Sequence, residues 1–143
     1  YLQRSAELLN LDESEAQDQC RRIVERIGMQ GREHEKAGNY SKGMVQRFGL
    51  GAALLGHPKL LILDEPTSGL DPLGIREIRL LLESLKSQGM TIFLNSHLLS
   101  EVEKICDNAA VINRGKLVVK ASISELVQDG ETLEDVFVRL VKG

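Results

Sequence analysis

Apolar residues recur every three to four positions in the first part of the chain, then change to short unbroken runs in its middle. Residues 1 to about 30 carry the helical period. Asp12 with Glu15 predicts a capping-box-like start, and Ala16, Cys20, Ile23, Val24 and Ile27 follow on one face. Gly28 predicts the stop. The segment GREHEKAGNY is polar and punctuated by glycine, and predicts a loop that holds His34. A further helix is expected from near Ser41 to Leu55, ending at GHP, which puts His57 in a connection.

The period then changes. Lys59 to Leu63 is a short continuous apolar run, the pattern of a strand buried on both faces of a parallel sheet. PTSGLDP predicts a turn, with Asp71 as N-cap and Pro72 at the first helical position. Ile75, Ile78, Leu81, Leu82 and Leu85 form the stripe of the next helix, and Gly89 closes it. TIFLN predicts a second buried strand, followed by a helix with Leu98, Val102 and Ile105 on one side. AAVINRGKLVVKA predicts a hairpin turning at Asn113 to Gly115. Ser122 with Glu125, then Thr132 with Asp135, predict two short terminal helices. Strands that alternate with helices indicate an α/β class with a mainly parallel sheet. Three segments are expected: helical residues 1–57, an α/β core portion over 58–121, and terminal helices over 122–143.

Composition narrows the function. The chain of 143 residues is 42% hydrophobic and 27% charged, which suits one compact domain or a large piece of one. Its net charge is −3 and aromatics are 3%, so neither a basic patch nor a base-stacking surface is indicated; no direct nucleic-acid contact is expected. Cys20 and Cys106 lack metal-ligand spacing and read as reduced core thiols in a cytosolic setting. No apolar run reaches the length of a membrane span. A chain that opens on Tyr1 within a helical pattern is expected to be a piece of a longer one.

The candidate chemistry begins at KLLILDEP. Ligands of such sheets bind beyond the C-terminal ends of the strands, where Asp64 and Glu65 fall. Neighbouring strand residues point to opposite sides, so the two carboxylates are expected to have different tasks. Two adjacent negative charges each disfavour ionisation of the other, and a divalent cation or its water shell resolves the conflict. Pro66 disfavours helical geometry at Glu65 and predicts extended backbone there. An apolar run ending in Asp is the Walker B pattern, in which the Asp serves Mg²⁺ and a following Glu can orient or deprotonate a water.

YSKGMVQRFGLGAALLGHPKLLILDEPTSGLDP and TIFLNSHLLSEVEKICDNAAVINRGKL together resemble the ATP-binding subunit of ABC transporters, from about Gly38 to Lys116. Tyr40 to Met44 stands where that family has its signature, usually LSGGQ; Ser41 and Gly43 match, while Tyr40, Lys42 and Met44 depart. YSKGM looks like the variant of ABC-2-type exporters. The resemblance implies that Ser41 and Gly43 reach the γ-phosphate of ATP held by a second ATPase subunit, and the charge of Lys42 beside them is expected to help hold that phosphate. It implies that Asp71, in a D-loop-like Ser68-Gly69-Leu70-Asp71, lies at the interface of that homodimer. It further implies that Asp64 serves Mg²⁺, that Glu65 activates water and that His97 contacts the γ-phosphate. A membrane permease is the implied partner, with the ATPase peripheral on the cytoplasmic face of the membrane. Gln46 and Arg47 read as ordinary helix-face residues.

No GxxxxGK[ST] phosphate cradle occurs: Gly38 and Gly43 have the spacing, but Met44 follows. The expected fold is therefore an incomplete P-loop NTPase domain, the C-terminal part of an exporter ATPase, inactive alone. Two alternatives remain open at the level of sequence. One is a soluble relative that acts on ribosomes or DNA; the other is a non-catalytic, partner-binding subunit.

Overall fold

The computed structural model describes residues 2–32, 35–128 and 130–142. His34 lies outside the described residues. The fold is mixed α/β and divides into two compact units at Leu94/Asn95. That division follows packing, whereas the three sequence segments were drawn by role.

In the first unit the long helical start is two helices, α1 (Leu2–Leu8) and α2 (Glu13–Arg26). Asp12 caps α2 by accepting from the Glu15 amide at 2.9 Å. The reciprocal half of a capping box is replaced: the Glu15 carboxylate accepts from Gln19 Nε2 at 3.0 Å. Helix α3 (Lys42–Ala53) packs on both α1 and α2. Its contact with α2 needs Gly51, because a β-carbon there would lie within 3 Å of Ile23 and Ile27. Buried Gln19 adds a polar tie, its Oε1 accepting from the Gly56 amide at 2.9 Å.

Strand β1 (Leu60–Asp64), helix α4 (Pro72–Ser87) and strand β2 (Thr91–Asn95) follow, and β1 pairs with β2. Helix α4 begins as expected: Asp71 accepts from the Gly74 amide at 2.7 Å and Pro72 opens the helix. Ile78, Leu82 and Leu85 on its stripe are the most completely buried large side chains among the described residues. Removing such a side chain costs about 2–5 kcal/mol.

The expectation of strands buried on both faces does not hold. Leu61 is buried, but Ile62 is 69% exposed and Phe93 of β2 is 64% exposed. An unbroken apolar run permits burial on two faces but does not supply the layers that cover them. Here alternate residues stand open. Both cysteines are free and only half-buried, rather than full core residues. Burial still pushes the Cys20 thiol pKa up.

The second unit holds α5 (Leu99–Ile105), the antiparallel hairpin β3 (Asn108–Asn113) with β4 (Lys116–Ser122), α6 (Ile123–Leu126) and α7 (Leu133–Lys142). Arg114 and Gly115 form its two-residue turn, both at positive φ, the geometry that matches strand twist. Ile105, Val111, Leu133 and Val136 are its buried apolar residues. Capping pairs start both terminal helices as predicted, Ser122 with Glu125 and Thr132 with Asp135.

Among the described residues no helix is long and apolar enough to cross a membrane.

Candidate functional site

Ser41 ends an extended segment and caps α3, its hydroxyl accepting from the Met44 amide at 3.2 Å. Tyr40 fixes the approach: its ring lies 5.8 Å from that of Phe48, and its hydroxyl donates to the Arg32 carbonyl at 3.2 Å. The first turn of α3 contains no acidic residue, and Lys42 is its first residue. The positive end of the helix therefore carries a hydroxyl, a lysine and a glycine, with no carboxylate of its own.

Facing this helix start is the turn between β1 and α4. Ser41, Lys42 and Gly43 from one side, and Gly69 and Asp71 from the other, line a groove of about 550 Å³. Gly69 has φ +68°, and the Lys42 ammonium occupies the place where a β-carbon on that glycine would go. The turn favours glycine for its left-handed backbone, and the lysine passes through the space that a side chain there would fill. The guanidinium of Arg47 on α3 pairs with the carboxylate of Glu77 on α4 along the same groove. Four residues singled out in the sequence as phosphate- or interface-facing, namely Ser41, Lys42, Gly43 and Asp71, share this one opening.

Asp64 is exposed at the end of β1. Glu65, next in the chain, is half-buried, and its Oε2 atom is sealed from solvent. The extended backbone expected at Glu65 is not found: its φ is +48°, in the left-handed region. The turn explains the difference. The Glu65 carbonyl accepts from the Ser68 amide at 3.1 Å, and also from Gln46 Nε2 on α3 at 3.2 Å. These two bonds turn the carbonyl away from the strand direction, overriding the bias that Pro66 alone would impose.

His97 belongs to the second unit, two residues past the end of β2, and is exposed. The backbone there bends locally, with the Leu98 amide donating to Ser96 Oγ at 3.1 Å and the Leu99 amide to the His97 carbonyl at 3.1 Å. His57 lies in the turn after α3 at φ +53°.

Gln46 and Arg47 are the residues that the sequence reading passed over. A signal was present. They stand four positions before Leu50 and Gly51, the buried positions of α3, so they share its inward side. Polar side chains on an inward stripe call for partners, and here they find Glu65 and Glu77.

Among the described residues no cluster of three or more His, Cys, Asp or Glu side chains could hold a metal alone. Mg²⁺ needs less, because it is bound through one or two carboxylates with water and substrate phosphates completing its shell. Exposed Asp64 fits that requirement. The donor set at α3 fits a phosphate anion, with hydroxyl, helix amides and lysine all of the right sign.

The sequence profile of the family described as ABC transporter matches residues 2–68. The bacitracin transport ATP-binding protein BcrA of Bacillus licheniformis is 42% identical over 123 residues, 85% of this chain and 39% of that protein. The lantibiotic transport ATP-binding protein SrtF of Streptococcus pyogenes is 45% identical over 116 residues, 80% of this chain and 48% of that protein. A solved structure described as the ATP-binding subunit of an ABC transporter superposes with a TM-score of 0.80 at 27% identity. That match covers 97% of this chain and 61% of the other. The chain spans less than half the length of the curated relatives named here.

Proposed function

We propose, because this chain belongs to the family of ABC transporter ATP-binding proteins, that it carries the water-activating and partner-facing portion of an ATP-hydrolysis site that drives an export permease. The observation that carries this reading is the groove in which Ser41, Lys42 and Gly43 meet Gly69 and Asp71. Segments almost thirty residues apart converge on one opening, where the Asp71 and Glu77 carboxylates are engaged by the Gly74 amide and by Arg47 and the start of α3 presents positive donors with no carboxylate of its own. That is the chemistry that takes a phosphate.

In this proposal Ser41, Lys42 and Gly43 hold the γ-phosphate of ATP bound by a second copy of the subunit, and Asp71 lies at the interface between the copies. Glu65 takes the proton of the attacking water. His97 contacts the γ-phosphate that the activated water attacks and helps to place that water. Asp64 would hold Mg²⁺, which would supply charge neutralisation at the phosphates. Asp64 is the exposed member of the carboxylate pair and Glu65 the screened one, which supports a division of labour between them. The phosphate cradle comes from a segment other than residues 1–143, so these residues alone do not hydrolyse ATP. The names of BcrA and SrtF support transport as the process; export as its direction rests on the YSKGM variant at Tyr40 to Met44. The subunit would then sit on its permease at the cytoplasmic face of the membrane. The three-part division at residues 57/58 and 121/122 belongs to the same proposal.

The test is Mg-ATP hydrolysis by the full-length protein with its permease in vesicles. Glu65→Gln should lower turnover about a hundredfold or more while ATP still binds. Equal turnover in wild type and Glu65→Gln would overturn the assignment of the base. Robust hydrolysis by residues 1–143 alone would overturn the missing-cradle argument.

A further inference from the structure

We propose that Gln46 is a positioning residue for Glu65, tying the setting of helix α3 to the geometry of the general base. This inference rests on the role proposed for Glu65 above, and it concerns a residue for which the sequence offered no function.

The geometry has three parts. First, Gln46 Nε2 donates to the backbone carbonyl of Glu65 at 3.2 Å, a contact across nineteen positions of chain that is partly shielded from solvent. Second, Glu65 sits at φ +48°, followed by Pro66. A non-glycine residue held in that region costs of order 1–3 kcal/mol and persists only where its surroundings over-determine it. Two donors on one carbonyl, the Ser68 amide and Gln46 Nε2, provide that determination. Only the second comes from outside the turn. Third, Gln46 lies one helical turn after Lys42, on the helix whose start lines the groove.

A helix moves as a rigid body over one turn. Any adjustment of α3 as an anion seats at Ser41 and Lys42 is passed to Gln46 without loss. From Gln46 it reaches the carbonyl that sets the direction of the Glu65 Cα–Cβ bond. The proposed base would then be aimed fully when the groove is filled, and less well when it is not. Arg47, the next residue, braces the same helix against α4 through Glu77, so α3 presses on the turn and on α4 together.

The test uses the full-length protein with Mg-ATP. Gln46→Met keeps the length and removes the donor. Gln46→Lys restores a donor of similar reach. With Gln46→Met, kcat should fall tenfold to a hundredfold, on the order expected for a misaimed reacting group. KM for ATP should stay within about twofold, because no phosphate contact is removed. Gln46→Lys should recover most of the lost kcat. An unchanged kcat in Gln46→Met overturns the proposal. So does an equal loss in both variants accompanied by a lowered melting temperature, which marks a structural strut. Failure of both variants to fold counts the same way. If Glu65→Gln matches wild type, the function assigned to Glu65 falls and this inference falls with it. If Glu65→Gln is inactive but Gln46→Met is normal, only the coupling through Gln46 is wrong.

Discussion

Two helix starts in this molecule use the same cap and end differently. In the second unit, α7 is capped by Thr132, whose hydroxyl accepts from the Asp135 amide at 3.2 Å. The Asp135 carboxylate returns to the Thr132 amide at 2.9 Å, and Glu103 from α5 accepts the Leu133 amide at 2.9 Å. Helix α6 repeats the device with Ser122 and Glu125. In the first unit, α3 is capped by Ser41, but Met44 stands where α6 and α7 place a carboxylate. Negative charge at a helix N-terminus interacts favourably with the helix dipole, by about 0.3–1 kcal/mol. The terminal helices carry that charge in their own sequence and close on themselves. Helix α3 carries a lysine instead, which leaves its N-terminal end open to an anion from elsewhere. The difference separates a start that finishes a fold from one that, in the proposed function, receives a phosphate.

The most direct way to break the comparison is to give α3 what α6 has. Met44→Glu writes the Ser-x-x-Glu capping pattern into the groove. The α3 start should become as stable or more so, since such a cap contributes about 0.5–1 kcal/mol. ATP-driven turnover in the full-length protein should nevertheless fall about tenfold or more, because the new carboxylate takes the position of the phosphate and repels it. Melting curves with turnover against ATP concentration give both readouts. Unimpaired ATP dependence in a stabilised Met44→Glu protein would mean that the groove receives no anion.

Lys42 gives a finer test of the same difference. Lys42→Gly should raise the ATP concentration for half-maximal turnover about two- to fivefold, the size of one charge near a helix end. Gly69→Ala should act through the same lysine, because its methyl group would displace the ammonium and leave alanine in the left-handed region. The conformational part costs roughly 1–2 kcal/mol of stability. The double variant should have an ATP dependence no worse than Lys42→Gly alone, the non-additivity of two changes with one target. If Lys42→Gly leaves the dependence unchanged, Lys42 is a solvated residue at a helix start, and the groove relies on Ser41 and backbone amides.

What could be read from the sequence follows a physical line. Caps, stops and tight turns are written within about four residues, so the starts at Asp12, Ser41, Asp71, Ser122 and Thr132 were legible. The same holds for the turn at Arg114-Gly115. The stripe Ile78, Leu82, Leu85 was legible because helical period and burial coincide. The backbone of Glu65 was not, because its conformation depends on Gln46, nineteen positions away. Local chemistry, in the form of Pro66, pointed to the opposite geometry. The open faces of β1 and β2 were missed for a related reason: apolar content reports what a strand can bury, while its neighbours decide what it does bury. Of the candidate site, the residue types were legible one by one, and the convergence of Ser41, Lys42, Gly43 and Asp71 on one groove required the fold.

The smallest effect distinguishes the two kinds of helix start by acid. Hydrogen bonds from the Ser122 side chain and backbone hold the Glu125 carboxyl below the usual carboxylate range, and those from Thr132 do the same for Asp135. A carboxylate whose folded pKa is depressed contributes stability that is complete above its unfolded value and is lost as pH falls through the folded value. The contribution is therefore present at pH 7 and fades only below about pH 4, where free Asp and Glu begin to take up protons. Amide hydrogen exchange at the first turns of α6 and α7 should accelerate over that interval relative to the first turn of α3. That turn has no acidic residue to protonate. Glu125→Gln and Asp135→Asn should each flatten the pH dependence of their own helix and leave the other unaltered. Both unit-two variants should leave the ATP dependence of the full-length protein where it was. An acid response at α3 as steep as that at α7 would mean that α3, too, is balanced by a carboxylate of its own chain, and the contrast between a closed and a receiving helix start would collapse.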